Sequence, residues 1–248
     1  MEFKLMEQSD SITLNPKSAF RNRIRLSNKK LKGISMNEMA ELRAMLYKYI
    51  SKLVDYPYDD DVRKMDDYLS YMIQSAEQLE EKSEIYKDIS RTAGNSRKIL
   101  KDIERLGVDH FQAEYVSTFE LGHPKAPCPL YEREYSRQAG AEKDLETLNE
   151  ITQFYFQYGA DIENETADFL PVELEFVSFL ITRGEEEGAP EKYQKAQLDF
   201  IENHLSWLNN LYQQVKDRCK LIGYVCLIGM TDNFVRKDYQ FLKQRTLT

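Results

Sequence analysis

The sequence predicts an all-α protein, on three observations. Apolar residues recur at three- and four-residue steps through most of the chain, no alternating strand pattern bounded by hairpin turns occurs, and glycine is scarce, at 10 in 248 residues. A chain this long buries roughly 70–75% of the surface that its unfolded form exposes, so one core suffices. We therefore expect a single-domain helical bundle over residues 36–248, preceded by a flexible N-terminal extension, residues 1–35.

The extension lacks helical periodicity, contains Pro16, and carries eight basic and three acidic side chains. Lys17, Arg21, Arg23, Arg25, Lys29, Lys30 and Lys32 all fall between Ser11 and Gly33, a stretch without an acid. Such a composition reads either as a solvated tail or as an arm that contacts an acidic surface, its own core included. From Ser35 the pattern changes: Met36, Met39, Leu42, Met45, Leu46, Tyr49 and Leu53 mark a first core helix that stops near Tyr56-Pro57. Residues 61–82 continue with Met65, Leu69, Met72 and Ile73 on one side. A third stretch, 84–106, ends at Gly107, and Gly94-Asn95 weaken its middle enough to divide it in two.

Asp109 followed by Gln112 resembles a capping box opening a helix with Phe111, Tyr115, Val116 and Phe119 on one face. That helix runs into Gly122-His123-Pro124-Lys125-Ala126-Pro127-Cys128-Pro129-Leu130-Tyr131, where three of the seven prolines fall within six residues. Proline has no amide hydrogen and moves the preceding residue out of the α region, so this crossover is extended by covalent geometry. Long irregular segments in compact domains are often functional, with an inert surface crossover as the plain alternative. A further helix spans 138–158, closed by Gly159, and a connection runs from Ala160 to Phe169. A helix from about Pro171 to Glu186 follows. After Gly188-Ala189-Pro190 comes one long helix through Tyr193, Leu198, Ile201, Leu205, Leu208, Leu211 and Val215, and a last helix covers 218–243.

Net charge is −8, and without the first 35 residues the rest of the chain, with 26 basic and 39 acidic side chains, stands near −13. That balance argues against a general nucleic-acid-binding body and for a basic partner. No run of 18 apolar residues predicts a membrane span, so no stable membrane insertion is expected, and the N-terminus lacks the apolar region of a secretory signal. Three cysteines give no disulfide framework, and we expect a reducing, cytoplasmic location. There is no glycine-rich phosphate loop, no Gly-x-Ser-x-Gly and no His-Glu-x-x-His, so no enzyme and no cofactor are expected. Of the three histidines only His123 shares a loop with a cysteine, Cys128, which falls short of the four ligands of a closed zinc site; no metal is expected. Cys219 and Cys226, seven apart, read as core packing on the last helix.

In Asp168-Phe169-Leu170-Pro171-Val172-Glu173-Leu174-Glu175-Phe176, Pro171 suits the first turn of a helix and leaves Asp168 outside it. Leu170, Leu174, Val177, Leu180 and Ile181 form one apolar face on which Glu173 falls, with Glu175 pointing away. A carboxylate among apolar side chains is costly unless paired, so Glu173 is either a structural acid holding a neighbouring loop or arginine, or an acid facing a ligand.

The order Tyr115-x-x-x-Phe119, Gly122, Pro127-Cys128-Pro129-Leu130-Tyr131-Glu132 and, some forty residues on, Asp168-Phe169-Leu170-Pro171-x-Glu173-Leu174-x-Phe176 resembles the cytoplasmic maturation chaperones of molybdenum enzymes, the TorD, DmsD and NarJ type. The likeness covers about residues 36–240. It implies a helical chaperone that binds the apo catalytic subunit of a molybdopterin oxidoreductase, often through its N-terminal twin-arginine leader, and assists cofactor insertion before export. It places the leader-binding surface at Tyr115, Phe119, Pro129, Leu130 and Asp168. Tyr131 then adds an apolar anchor beside Leu130, while Glu132 and Asp168 position a basic segment and Glu173 completes the client-peptide site. The likeness is nearest to chaperones of dimethyl-sulfoxide-reductase-type enzymes such as perchlorate, selenate or dimethylsulfide oxidoreductases. The sequence departs from the family where Ala167-Asp168-Phe169 replaces the common Pro-Asp-His and where Thr118 replaces an apolar residue. Two other readings stand beside it: a guanine-nucleotide-binding helical switch, and an interaction protein whose basic arm engages an acidic surface. Monomer and dimer both stay open.

Overall fold

In the computed structural model, residues 37–135, 141–162 and 165–246 are described, with side chains from Leu145 onward in the helix that starts at Ala141. The basic arm lies outside the described residues. The helices are α1 (Glu38–Val54), α2 (Asp59–Lys82), α3 (Ile89–Asn95), α4 (Lys98–Leu106), α5 (Val108–Phe119), α6 (Ala141–Gln157), α7 (Leu170–Glu186), α8 (Pro190–His204), α9 (Leu208–Arg218) and α10 (Ile222–Thr246). Two 3₁₀ turns, Glu84–Tyr86 and Glu132–Tyr135, join them, and no strand is present among the described residues beyond isolated bridge positions, Tyr131 with Phe169 among them.

Asn37 caps α1, its side chain accepting from the Met39 N–H at 3.0 Å, and the helix is the central element, packed between α2 and α7. Its Leu46, Ile50 and Leu53 are fully buried, each contributing about 1.5–3 kcal/mol on the scale of apolar transfer. α10 closes the other side against α3, α4, α8 and α9. Gly223 lets this happen, because a Cβ there would overlap the backbone of Ile99 at the start of α4.

A charged network crosses the core. The Arg43 guanidinium donates to both Asp238 carboxylate oxygens at 2.6 and 2.9 Å and to Gln197 Oε1 at 2.7 Å, and the Tyr47 and Tyr86 hydroxyls donate to Asp238 at 2.9 and 2.6 Å. Arg43 and Asp238 are both buried, and the carboxylate's oxygens accept from three side chains on two elements, Arg43 and Tyr47 of α1 and Tyr86 of the 84–86 turn.

Four expectations are corrected. The stretch 84–106 forms three pieces rather than two, since a 3₁₀ turn precedes α3 and Asp88 takes a left-handed backbone, φ 64°, before it. Asp109 caps nothing: the cap position is Gly107, φ 74°, and the Gln112 amide reaches instead to the Pro57 carbonyl at 2.8 Å and Asp59 at 3.0 Å. The single long helix through 193–215 is two helices, α8 and α9, broken at Leu205–Trp207. Cys219 is not on the last helix with Cys226; it is the buried residue that ends α9. The helix after the second motif starts at Leu170, one residue before Pro171, with Asp168 outside it as expected.

Candidate crossover and groove site

The proline crossover and the entrance of α7 meet. Tyr131 and Phe169 form an antiparallel bridge in which the Leu170 N–H donates to the Leu130 carbonyl at 2.9 Å and the Glu132 N–H to the Asp168 carbonyl at 3.0 Å. The two rings stack at 5.2 Å. Prolines at 127 and 129 leave the intervening Cys128 N–H as a donor in this stretch, and it goes to the Thr118 carbonyl at 2.9 Å, fastening the crossover to the end of α5. Pro129's carbonyl accepts from the Tyr135 hydroxyl at 2.9 Å, and the Arg218 guanidinium holds the Pro127 carbonyl at 3.1 Å. Burial pushes the Cys128 thiol up to about 12 and Cys219 up to about 11, so both stay protonated and act as packing.

Behind this junction three acids converge. Asp168 is fully buried and accepts from Arg133, from its backbone N–H at 3.3 Å and its guanidinium at 3.1 Å. Glu132 pairs with His204 Nδ1 at 3.1 Å, and Glu173 accepts from Trp207 Nε1 at 3.3 Å, the same N–H that donates to the His204 carbonyl at 2.8 Å. Glu173 Oε1 meets no hydrogen-bond partner among the described residues. Burial first, then the charges of Glu132 and Asp168, hold the Glu173 carboxyl well above the usual carboxylate range; burial likewise raises Glu132 and Asp168 against the opposing pull of His204 and Arg133. Burial and like-charged neighbours thus favour the neutral form of the Glu173 carboxyl, whose one engaged oxygen meets Trp207.

The eight site residues are thus brought to one side of the fold, at different depths. Tyr115, Phe119 and Leu130 are almost fully closed from solvent, and Tyr115 spends its hydroxyl on the Val54 carbonyl at 2.9 Å. Pro129, Asp168 and Glu173 are also buried, and the acids among them are engaged inside the chain. Tyr131 and Glu132 are the partly exposed ones.

The accessible surface beside them is a groove of about 530 Å³ along α5, lined by Tyr56, Gln112, Ala113, Val116, Leu121 and Gly122 with Asp109 and Ser117. Leu121 is 66% exposed and Tyr58, two residues on from Tyr56, 44%. Acids lie on and near it: Asp109 lines it, Glu120 precedes its Leu121 and is raised by burial and by the charges of Asp55 and Glu165, and Tyr131 lies within the fields of both Glu165 and Glu120. Lys52 and Lys64 offset Asp61 in this neighbourhood, and Arg63 pairs with Asp60. Sequence reasoning missed Tyr56 and Leu121, because single apolar residues at helix ends carry no periodic signal. Among the described residues no group of three or more His, Cys, Asp or Glu side chains is placed to hold a metal, and no helix is long and apolar enough to cross a membrane.

The class these features define is an all-α domain whose stiff crossover is fastened to a second helix entrance beside an open groove. The chain belongs to the nitrate reductase delta subunit family, whose model matches residues 83–213, more than half of its length. It is similar to the perchlorate reductase assembly chaperone protein of Dechloromonas aromatica, 31% identical over 51% of this chain and 59% of that one. It is also similar to the selenate reductase assembly chaperone protein of Thauera selenatis, 32% identical over 39% of this chain and 53% of that one. The chaperone protein TorD of Aliivibrio fischeri is 26% identical over 84% of this chain and 99% of its own length. The chain spans less than two thirds of the length of the first two relatives.

Proposed function

We propose that this chain is a cytoplasmic assembly chaperone that binds the apo catalytic subunit of a molybdenum reductase, through a basic and apolar N-terminal segment of twin-arginine-leader type, until cofactor insertion is complete. The client is of the dimethyl-sulfoxide-reductase type, and the chaperone itself catalyses nothing. The observation that supports this best is the fastening of the crossover to the α7 entrance beside an open groove with an apolar floor and acidic surroundings. A leader carries basic residues followed by an apolar stretch, and a receptor for it needs those two chemistries side by side. The crossover, already fixed by its prolines and its bonds to Thr118 and Asp168, would lose little conformational entropy on docking.

In this reading Tyr131, Glu132 and the groove residues Tyr56, Val116 and Leu121 meet the client. Tyr115, Phe119, Pro129, Leu130, Asp168 and Glu173 set the surface from beneath. Fluorescence anisotropy with the labelled N-terminal peptide of a candidate reductase subunit tests it. Binding at tens of micromolar or tighter, weakened at least tenfold by Leu121→Ser with Tyr131→Ala, is expected; absence of binding, or binding indifferent to both substitutions, overturns it.

A further inference from the structure

The groove along α5 joins two chemistries that the chain's own N-terminal arm also carries. In Lys17-Ser18-Ala19-Phe20-Arg21-Asn22-Arg23-Ile24-Arg25-Leu26, the extended-chain period of two separates Arg21, Arg23 and Arg25 from Phe20, Ile24 and Leu26. The groove offers an apolar floor at Tyr56, Val116 and Leu121 and an acid, Asp109, in its lining, with Glu120 next to Leu121 and the charges of Asp55 and Glu165 close to Glu120. We propose that residues 17–26 of the arm dock across this groove in the same molecule, so that the arm is a built-in competitor of the client.

Reach permits it. The described chain begins at Asn37, and α1, 17 residues or about 25 Å long, carries it to Asp55 and Tyr56 at the groove. Ten residues, the number in 27–36, can reach at most about 33 Å, enough to return along α1. Such a tether gives the arm a local concentration on the order of millimolar, so even a weak contact is well populated. The proposal rests on the client reading only for its consequence, competition; the contact itself is between parts of one chain.

A fluorescein-labelled peptide of residues 17–32, titrated with the full chain, measures it without any client. The unaltered chain, its groove engaged by its own arm, is expected to bind the peptide weakly. The full chain with Arg21, Arg23 and Arg25 all changed to Glu is expected to bind it at least tenfold more tightly. Adding Asp109→Lys and Glu120→Lys, both exposed positions, to that variant should abolish the gain, as should Leu121→Ser, which alters the floor alone. Equal affinity for the unaltered and arm-substituted chains, or a gain that survives the groove substitutions, overturns the proposal and leaves the client reading untouched. Sedimentation at the same concentrations distinguishes the remaining occupant: a monomer supports the contact within one chain, and a dimer that dissociates when the arm is substituted assigns the arm to a neighbour's groove and overturns it.

Discussion

Glu173 stands on an apolar helix face with its carboxyl in contact with Trp207 Nε1 and one oxygen left without a partner among the described residues. Burial, then the charges of Glu132 and Asp168, raise its proton affinity in the fold above the unfolded value of about 4.5. Between the two values the folded chain holds a proton that the unfolded chain has released. The stabilisation is complete below about pH 4.5 and is lost as pH rises, by up to ~1.4 kcal/mol per pH unit, until Glu173 itself ionises. Glu173→Gln keeps the shape and an acceptor for Trp207 but cannot ionise. Urea midpoints at pH 5 and pH 8 should therefore fall further for the unaltered protein than for Glu173→Gln; parallel losses would show that Glu173 is already charged. The residue types at this site were readable from the sequence, since an acid in an apolar seam is conspicuous. Its partners were not, because His204, which pairs with Glu132, ends α8, and Trp207, which donates to Glu173, lies in the break just after it, where nothing local marks either as a neighbour of these acids.

At the scale of elements, local chemistry made most helices legible and hid the joints between them. The apolar period through Tyr193, Leu198, Ile201, Leu205, Leu208 and Leu211 continues without interruption across the break between α8 and α9, so periodicity alone predicts one helix. The break exists because Trp207 turns inward, its N–H shared between the His204 carbonyl and Glu173 and its ring stacked on Tyr135 at 4.9 Å. Trp207→Phe removes that donor while keeping an aromatic ring, leaving two buried acceptors short of a partner; a loss of about 1–3 kcal/mol is expected, read as a lower urea midpoint at unchanged slope. The crossover makes the complementary case, because its prolines announced its extended shape and its bonds were invisible. Gly122 fits there only without a side chain, since a Cβ would overlap the Lys125 carbonyl and crowd the Ala126 Cα. Gly122→Ala should loosen the segment locally, speeding hydrogen exchange of the Cys128 amide that bonds to Thr118 while the α1 core amides hold their protection. Uniform loss of protection would instead make the crossover part of the global folding unit.

Across the whole molecule, amphipathic faces told which residues go inside without telling which helices meet there, and the Arg43 network shows what chooses the arrangement. Asp238 on α10 gathers donors from α1 and from the 84–86 turn, and Arg43 extends the set to Gln197 on α8. Nothing in the sequence pairs residues 43 and 238, which are 195 positions apart. Taking both charges out of water is costly, and their mutual attraction with fully satisfied hydrogen bonds offsets that cost only while the set is complete. Asp238→Ala strands the guanidinium and two tyrosine hydroxyls in the core, and a loss of about 3–5 kcal/mol is expected, a large share of a domain's stability. Arg43→Met combined with Asp238→Leu removes both charges and refills the space, and should recover most of that loss in urea unfolding. If the double variant is as unstable as Asp238→Ala, the packing around α1 rather than the stranded charge sets the cost. If it recovers, the network's contribution is the choice of partners: it specifies that α1, α8 and α10 close on one another, which is the arrangement that carries Asp55 and Tyr56, at the end of α1, to the groove.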